Sequence, residues 1–139
     1  MIASLVLDLL RCPQVRQVIV TNNTGVSVLL PNDSRIVAIS NHIPVGFAAN
    51  HNEAYKHCTQ PFFCILNPDI NLPADPFPPL LAMMQEVDAA ISAPLVRKPS
   101  GQLDDSVRYF PTMRSLLFKA LGRVCDSYTI NPHQSYIHP

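Results

Sequence analysis

The stretch Phe62-Phe63-Cys64-Ile65-Leu66-Asn67-Pro68-Asp69 decides how we interpret the fold. It begins with a short apolar run, rich in aromatic and branched side chains. Such a run is typical of a strand that is buried on both faces in a parallel sheet. Pro68 has no amide N–H and restricts Asn67, so a strand over 61–66 is expected to end there. Asp69 would then lie at the carboxyl edge of the sheet, where open α/β sheets bind ligands.

The composition indicates a globular chain with little charge. The 139 residues are 47% hydrophobic and 14% charged, with a formal net charge of zero. This length fits one domain that can bury a core. No basic patch is interleaved with aromatic residues, so nothing in the sequence indicates a nucleic-acid partner. The four cysteines are widely spaced and lack a CxxC pair, which favours free thiols in a reducing compartment over a zinc site.

The amino-terminal segment is apolar but does not resemble a signal peptide. It has no basic n-region, and Asp8 interrupts the apolar run. No segment approaches the roughly 20 apolar residues that a membrane-spanning helix needs. We therefore expect a cytoplasmic protein, and contact with the inner face of the cell membrane stays open.

Apolar periodicity elsewhere predicts strands that alternate with helices. Helices are predicted over 1–10, 47–57, 76–84 and 113–121, the last of them closed by Gly122. Strands are predicted over 15–20, 35–40, 61–66 and 89–96. The segment 26–30 fits either a short strand or a helix. This alternation predicts an α/β fold with a mostly parallel, Rossmann-like sheet and flanking helices.

Asn67-Pro68-Asp69 offers oxygen ligands at the end of the predicted strand 61–66. On its own, this tripeptide is more typical of a capped turn. A carboxylate at a strand end can also hold Mg²⁺, which proteins bind through one or two carboxylates together with substrate phosphates. A diphosphate leaving group needs such charge compensation as its bond to carbon breaks.

Small residues at the entry of the predicted helix 47–57 form a second candidate element. Gly46 allows the backbone to come close to a ligand, and helix N-termini attract phosphate. The amide of Asn52 is expected on the same side. Close packing of Ala48 and Ala49 on the sheet explains the small residues equally well.

The order of these motifs resembles that of family 2 glycosyltransferases with the GT-A fold, in particular their rhamnosyltransferase-like branch. The series is Asn41, then Gly46-Phe47 with Asn52 six residues after the glycine, then a strand ending in Asn67-Pro68-Asp69. The similarity continues in register through Ser92-Ala93-Pro94, Ser100-Gly101, the segment 106–111 and Leu116-Leu117. It covers the chain from about Leu5 to Gly122.

The resemblance implies a partial GT-A nucleotide-sugar-binding domain over 1–125, followed by a loop over 126–139 that leads to a missing acceptor-binding half. Asn67-Pro68-Asp69 stands where the family has its DxD-like motif, with Asp69 as the implied ligand of Mg²⁺ or Mn²⁺. Thr21 replaces an aspartate that many relatives carry. The positions implied to contact the nucleotide sugar are Thr21, Asn22, Asn41, Gly46, Phe47, Asn52 and Asn67.

The implied function is the donor-binding portion of a metal-dependent glycosyltransferase in polysaccharide biosynthesis. It would transfer a sugar from a dTDP- or UDP-sugar to a glycan or lipid-linked acceptor. Neither the family's central first strand nor its catalytic base is recognisable, so the chain is interpreted as truncated at both ends and the catalytic residues are unassigned. The alternative is a non-catalytic truncated α/β module with weak or no nucleotide binding. A dinucleotide-binding enzyme is disfavoured because no GxGxxG motif follows a predicted strand.

Overall fold

The computed structural model describes residues 2–86, 89–104 and 112–122, which divide between two units, Met1–Ala90 and Ile91–Pro139. The first unit contains the helices α1 (Ile2–Arg11), α2 (Phe47–Lys56) and α3 (Phe77–Glu86) and the strands β1 (Val18–Asn22) and β2 (Ile36–Ser40). The second unit contains the helix α4 (Met113–Ala120). The described residues therefore form a mixed α/β structure, which confirms the predicted class at that level.

The two strands pair in parallel, in a register that runs from Val18 opposite Ile36 to Asn22 opposite Ser40. The strand predicted over 35–40 is confirmed as β2. The strand predicted over 15–20 exists, but it begins later and extends through Asn22, which the sequence assigned to a turn. The reason is that the ladder continues past the apolar residues, since the Asn41 N–H donates to the Asn22 carbonyl over 2.9 Å.

One hydrophobic cluster joins α1 to the strands. Leu5, Val6 and Leu9 of α1 pack with Val18 and Val20, and Val6 is only 2% exposed. Val18 and Val20 point to the same face of β1 because side chains alternate along a strand. Burying side chains of this size stabilises the fold by about 1.5–3 kcal/mol each. This explains why the helix predicted over 1–10 is confirmed as α1 (Ile2–Arg11).

Arg35 connects the end of α1 to the start of β2. Its guanidinium donates to the carbonyls of Leu10 and Val15 over 3.1 and 3.2 Å. It also donates to both carboxylate oxygens of Asp33, over 3.0 and 2.9 Å. These hydrogen bonds hold the pKa of Asp33 down to about 2.

The prediction of a strand over 61–66 is wrong. Residues 62–67 have no regular secondary structure, and Phe62 and Ile65 are 47% and 51% exposed. Leu66 packs against the cluster, and the ring of Phe63 meets that of Tyr55 edge-on at 5.5 Å. The apolar run therefore contributes packing, but no neighbouring strand among the described residues supplies the main-chain hydrogen bonds that a strand needs.

The second unit is described over 91–104 and 112–122. The predicted strand 89–96 is also wrong, since its described neighbourhood contains only an isolated antiparallel bridge between Arg97 and Leu103.

α4 confirms the predicted helix 113–121. It begins at a capping box, in which the Ser115 N–H donates to the Thr112 hydroxyl over 3.1 Å, and it ends before Gly122, whose φ is +74°. Across the described residues, no helix combines the length and apolar character needed to cross a bilayer.

Candidate functional site

A groove of about 520 Å³ lies at the carboxyl end of the strand pair. Val20 pairs with Ala38 and Asn22 with Ser40, so the register brings these four side chains to one face. The segment that follows β1 forms the opposite wall. The polar side chains of the groove are Asn22, Ser27, Ser40, Asn41 and His42.

Asn22 shapes the wall of the groove by organising the turn after β1. Its Nδ2 donates to the Val26 carbonyl over 2.6 Å. Its Oδ1 accepts from the N–H and the hydroxyl of Thr24 over 3.1 and 2.9 Å. Gly25 has a φ of +70°, in the left-handed region that favours glycine. The Asn22 amide is therefore used in holding the turn.

Three asparagines connect the ends of both strands to the first turn of α2. Asn41 Nδ2 donates to the Oδ1 atoms of Asn23 and Asn50 over 3.1 and 2.6 Å. Asn23 both donates to and accepts from the main chain of Val45, in each case over 2.9 Å. Asn50 Nδ2 donates to the same Val45 carbonyl over 3.3 Å. We call Asn23, Asn41 and Asn50 the asparagine cluster; it fixes the loop between β2 and α2.

Several hydrogen-bonding groups of residues that line the groove are not used within the asparagine cluster. Both hydrogens of the Asn41 amide are used within the cluster, while its carbonyl oxygen has no hydrogen-bond partner among the described residues. The side chains of Ser27, Ser40 and His42 also make no hydrogen bond within the described ranges, and all three are exposed. Val20 and Ala38 provide an apolar floor. A groove without carboxylate, lysine or arginine side chains suits a neutral ring that carries N–H or O–H donors.

The residues implied by the family resemblance are distributed over four places. Asn22 and Asn41 line the groove. Thr21 is half-buried, and strand alternation directs its side chain to the opposite face of β1. Gly46 and Phe47 begin α2, which the asparagine cluster ties to the groove through Asn50.

The entry of α2 is open. Gly46 occupies the N-cap with an extended backbone and no capping side chain, which leaves the first N–H groups of the helix without a side-chain acceptor. Phe47 is 66% exposed and meets the ring of His51 edge-on at 4.2 Å. Asn52 is exposed one turn further along the helix. These features allow an anion to approach the helix end.

Asn67 and Asp69 lie outside the lining of the groove. Both are exposed in the turn at 67–70, where the Ile70 N–H donates to the Asn67 carbonyl over 3.3 Å. Asp69 forms no ion pair or hydrogen bond with any other described residue. Its carboxylate is therefore available to a ligand from solvent.

Asp69 offers a single carboxylate, so a cation bound there would need further oxygen ligands. Within the described ranges, no three His, Cys, Asp or Glu side chains gather into a group that could hold a metal ion. One carboxylate leaves most of an octahedral shell to other ligands. Mg²⁺ fills such a shell with water and substrate phosphates.

Asn23, Asn50 and Ser40 contribute to the site although the sequence motifs did not include them. Asn23 and Ser40 carried a usable signal, since they occur at the ends of neighbouring strands. The carboxyl ends of parallel strands meet at one edge of a sheet. Asn50 carried none, because its contact with Asn41 depends on how α2 folds back onto that edge.

Comparisons of the chain with protein-family models, with curated proteins and with solved structures found no match. The features that indicate a function are therefore the groove, the asparagine cluster, the open end of α2 and the resemblance carried by the sequence motifs.

Proposed function

We propose that this chain binds the sugar donor of a glycosyltransferase that uses nucleotide diphosphate sugars, dTDP- or UDP-sugars by resemblance. The observation that carries the proposal is the groove at the carboxyl end of β1 and β2, which the asparagine cluster joins to the uncapped end of α2. Extension of the two parallel strands into a larger Rossmann-like sheet is part of the same proposal.

The groove would receive the nucleoside. The free Asn41 carbonyl oxygen would accept from a base N–H or a ribose hydroxyl, and Ser40 would exchange hydrogen bonds with the ribose. Ala38, which is exposed in the groove, would pack against a flat face of the rings. Because no lysine or arginine lines the groove, it offers no fixed positive charge to neutralise a diphosphate.

The diphosphate would instead lie at the start of α2. The N–H groups of the first helical turn point out of the N-terminus, and the helix dipole favours negative charge there. Gly46 carries no side chain that would obstruct this approach, and a Cβ built there meets no atom within 4 Å. The hydrogen bond between Asn41 and Asn50 fixes the distance between the two subsites.

Asp69 and Asn67 would hold Mg²⁺ or Mn²⁺ against the diphosphate. When bound, such an ion neutralises the charge that develops on the departing nucleotide. The sugar would pass to a glycan or lipid-linked acceptor that another part of the enzyme binds.

Isothermal titration of UDP and dTDP, each with and without Mn²⁺, tests the proposal. We expect binding that Mn²⁺ strengthens, and we expect Asp69→Asn to abolish that strengthening. Glu86→Gln is the matched control, since it removes one exposed carboxylate on α3. Folded wild-type protein that gives no heat with either nucleotide would contradict the proposal.

The second candidate is a non-catalytic α/β module, and the exposure of Phe62 and Ile65 within the apolar run 61–66 favours it. A surface of this kind is unusual in a chain that functions alone. A sugar-transfer assay separates the candidates, because metal-dependent turnover by the isolated chain excludes a non-catalytic module. Nucleotide binding that does not respond to Mn²⁺, together with absence of turnover, would support it.

A further inference from the structure

The net charge of the whole chain is zero, but its two units carry net charges of opposite sign. Met1–Ala90 contains four Lys or Arg against seven Asp or Glu, a net charge of −3. Ile91–Pro139 contains six against three, a net charge of +3. Such asymmetry indicates that the second unit is attracted to an anionic surface.

The second unit also presents an apolar helix face to solvent. Met113, Leu116, Leu117 and Leu121 follow one another at helical spacing, so they share one side of α4 and its C-cap. Their exposed fractions are 84%, 48%, 63% and 69%, respectively. Soluble surfaces scatter their large apolar residues, whereas a continuous stripe of them marks a docking face.

The charges of α4 lie beside this stripe and have one sign. Arg114 and Lys119 are its charged residues, and the segment 112–122 contains no Asp or Glu. The Arg114 guanidinium lies over the Phe118 ring, 5.5 Å from its centroid, which keeps this cation at the border of the apolar face. An apolar stripe bordered by cations is the pattern of helices that lie in a membrane interface.

We propose that α4 docks on an anionic lipid surface, with Met113, Leu116, Leu117 and Leu121 inserted between headgroups and Arg114 and Lys119 on the lipid phosphates. Charge complementarity selects lipid: cations at the border of an inserting face pair with anionic headgroups. An apolar groove on a protein partner would not require a cation on each side of the apolar stripe. The inference is independent of the proposed nucleotide binding.

Co-sedimentation of the full chain with vesicles tests the inference. We expect binding to vesicles of phosphatidylcholine with phosphatidylglycerol and little binding to phosphatidylcholine alone. Raising the ionic strength from about 0.1 to about 1 M shortens the screening length from about 10 to about 3 Å, so the binding should be lost. Nucleotide titration of the same samples reports separately on the groove.

Two pairs of variants test whether the side chains of α4 make the contact with the vesicle. Leu117→Ser should weaken partitioning roughly tenfold, since it removes an inserted leucine. Leu29→Ser is its control, because Leu29 is 91% exposed in the first unit. Lys119→Ala should weaken partitioning about fivefold, as expected for one cation at an anionic surface. Arg16→Ala, an exposed cation of the first unit, should leave it unchanged.

Several results would overturn the inference. They are equal binding to neutral and anionic vesicles, no binding to either, or equal losses in the variants and their controls. Sedimentation showing that Leu117 is needed for self-association, without vesicle binding, would assign the face to a second copy instead. Since all four substituted side chains are exposed, circular dichroism of each variant should match the wild type.

Discussion

Replacing Asn41 by alanine tests the central feature of the site. Asn41 Nδ2 makes the hydrogen bonds to Asn23 and Asn50, over 3.1 and 2.6 Å. The substitution removes both, and it leaves the Asn50 oxygen without a partner among the described residues. The Asn23 oxygen retains the Val45 N–H. The loop between β2 and α2 would then be held by the remaining contacts of Val45 and by the main-chain N–H of residue 41, which still donates to the Asn22 carbonyl.

The expected magnitude follows from those two bonds. A neutral hydrogen bond contributes about 0.5–1.5 kcal/mol to stability, so two contribute about 1–3 kcal/mol. Asn41 is only half-buried, and water replaces part of what is lost. We therefore expect the free energy of unfolding to fall by about 1–1.5 kcal/mol, toward the lower end of the range for two bonds. A loss of about 1.4 kcal/mol corresponds to a tenfold change in an equilibrium constant. Nucleotide affinity should fall by up to about tenfold, because the alanine lacks the carbonyl oxygen that would make one neutral hydrogen bond to the ligand, worth about 0.5–1.5 kcal/mol.

Urea unfolding gives the stability change, and hydrogen exchange at the Val45 amide locates it. Asn32→Ala is the matched control, since Asn32 is exposed and forms no hydrogen bond with other described residues. We expect faster exchange at Val45 in Asn41→Ala and no change in the control. If both variants unfold at the same urea concentration and Val45 exchanges at the wild-type rate, the asparagine cluster does not hold the loop.

Three further predictions concern stability. Leu9→Ala should lower the free energy of unfolding by about 2–5 kcal/mol in urea titrations, because it opens a cavity in the hydrophobic cluster between α1 and β1. Leu29→Ala, the control, should change it by less than about 0.5 kcal/mol. The pKa of Asp33 is about 2 in the folded chain, below its ordinary value of 3.8. Between pH 3.8 and about pH 2, the unfolded state therefore binds more protons than the folded state. The contribution of Asp33 to the free energy of unfolding is complete above about pH 4 and is lost as the pH falls toward about 2. Asp33→Asn should remove that part of the acid titration of stability. Thr112→Ala removes the N-cap of α4 and should cost about 1 kcal/mol of helix stability, measured by NMR chemical shifts over 113–120.

The helices were predictable because their signals are local. α1, α2 and α4 begin and end within a residue or two of the predicted bounds. α4 ends just before Gly122, which adopts the left-handed backbone conformation that glycine favours after a helix. Apolar spacing along a helix specifies a face without reference to any other segment. β2 was predictable for a related reason, since Ile36–Ser40 is short, β-branched and bounded by turn residues.

The run 61–66 was not predictable from its own residues. Its side chains suit a buried strand, yet a strand also needs a second main chain at hydrogen-bonding distance. Val18 and Asn22 use their main-chain groups on the side of β2, so alternation directs those of Ile19 and Thr21 to the other edge of β1. No described residue pairs with that edge. Apolar composition predicts that a segment will pack, and it says nothing of whether a partner strand is present.

The candidate site shows how pairing in the sheet decides which neighbouring residues act together. Thr21 and Asn22 are adjacent in sequence and were implied to contact the same ligand. Within β1, however, adjacent side chains point to opposite faces, and Asn22 lines the groove while Thr21 does not. Conversely, Asn23 and Asn41 are eighteen positions apart, yet their side chains lie 3.1 Å apart because parallel pairing ends both strands at one edge. Residues at the ends of paired parallel strands are therefore better candidates for a shared site than residues consecutive within one strand.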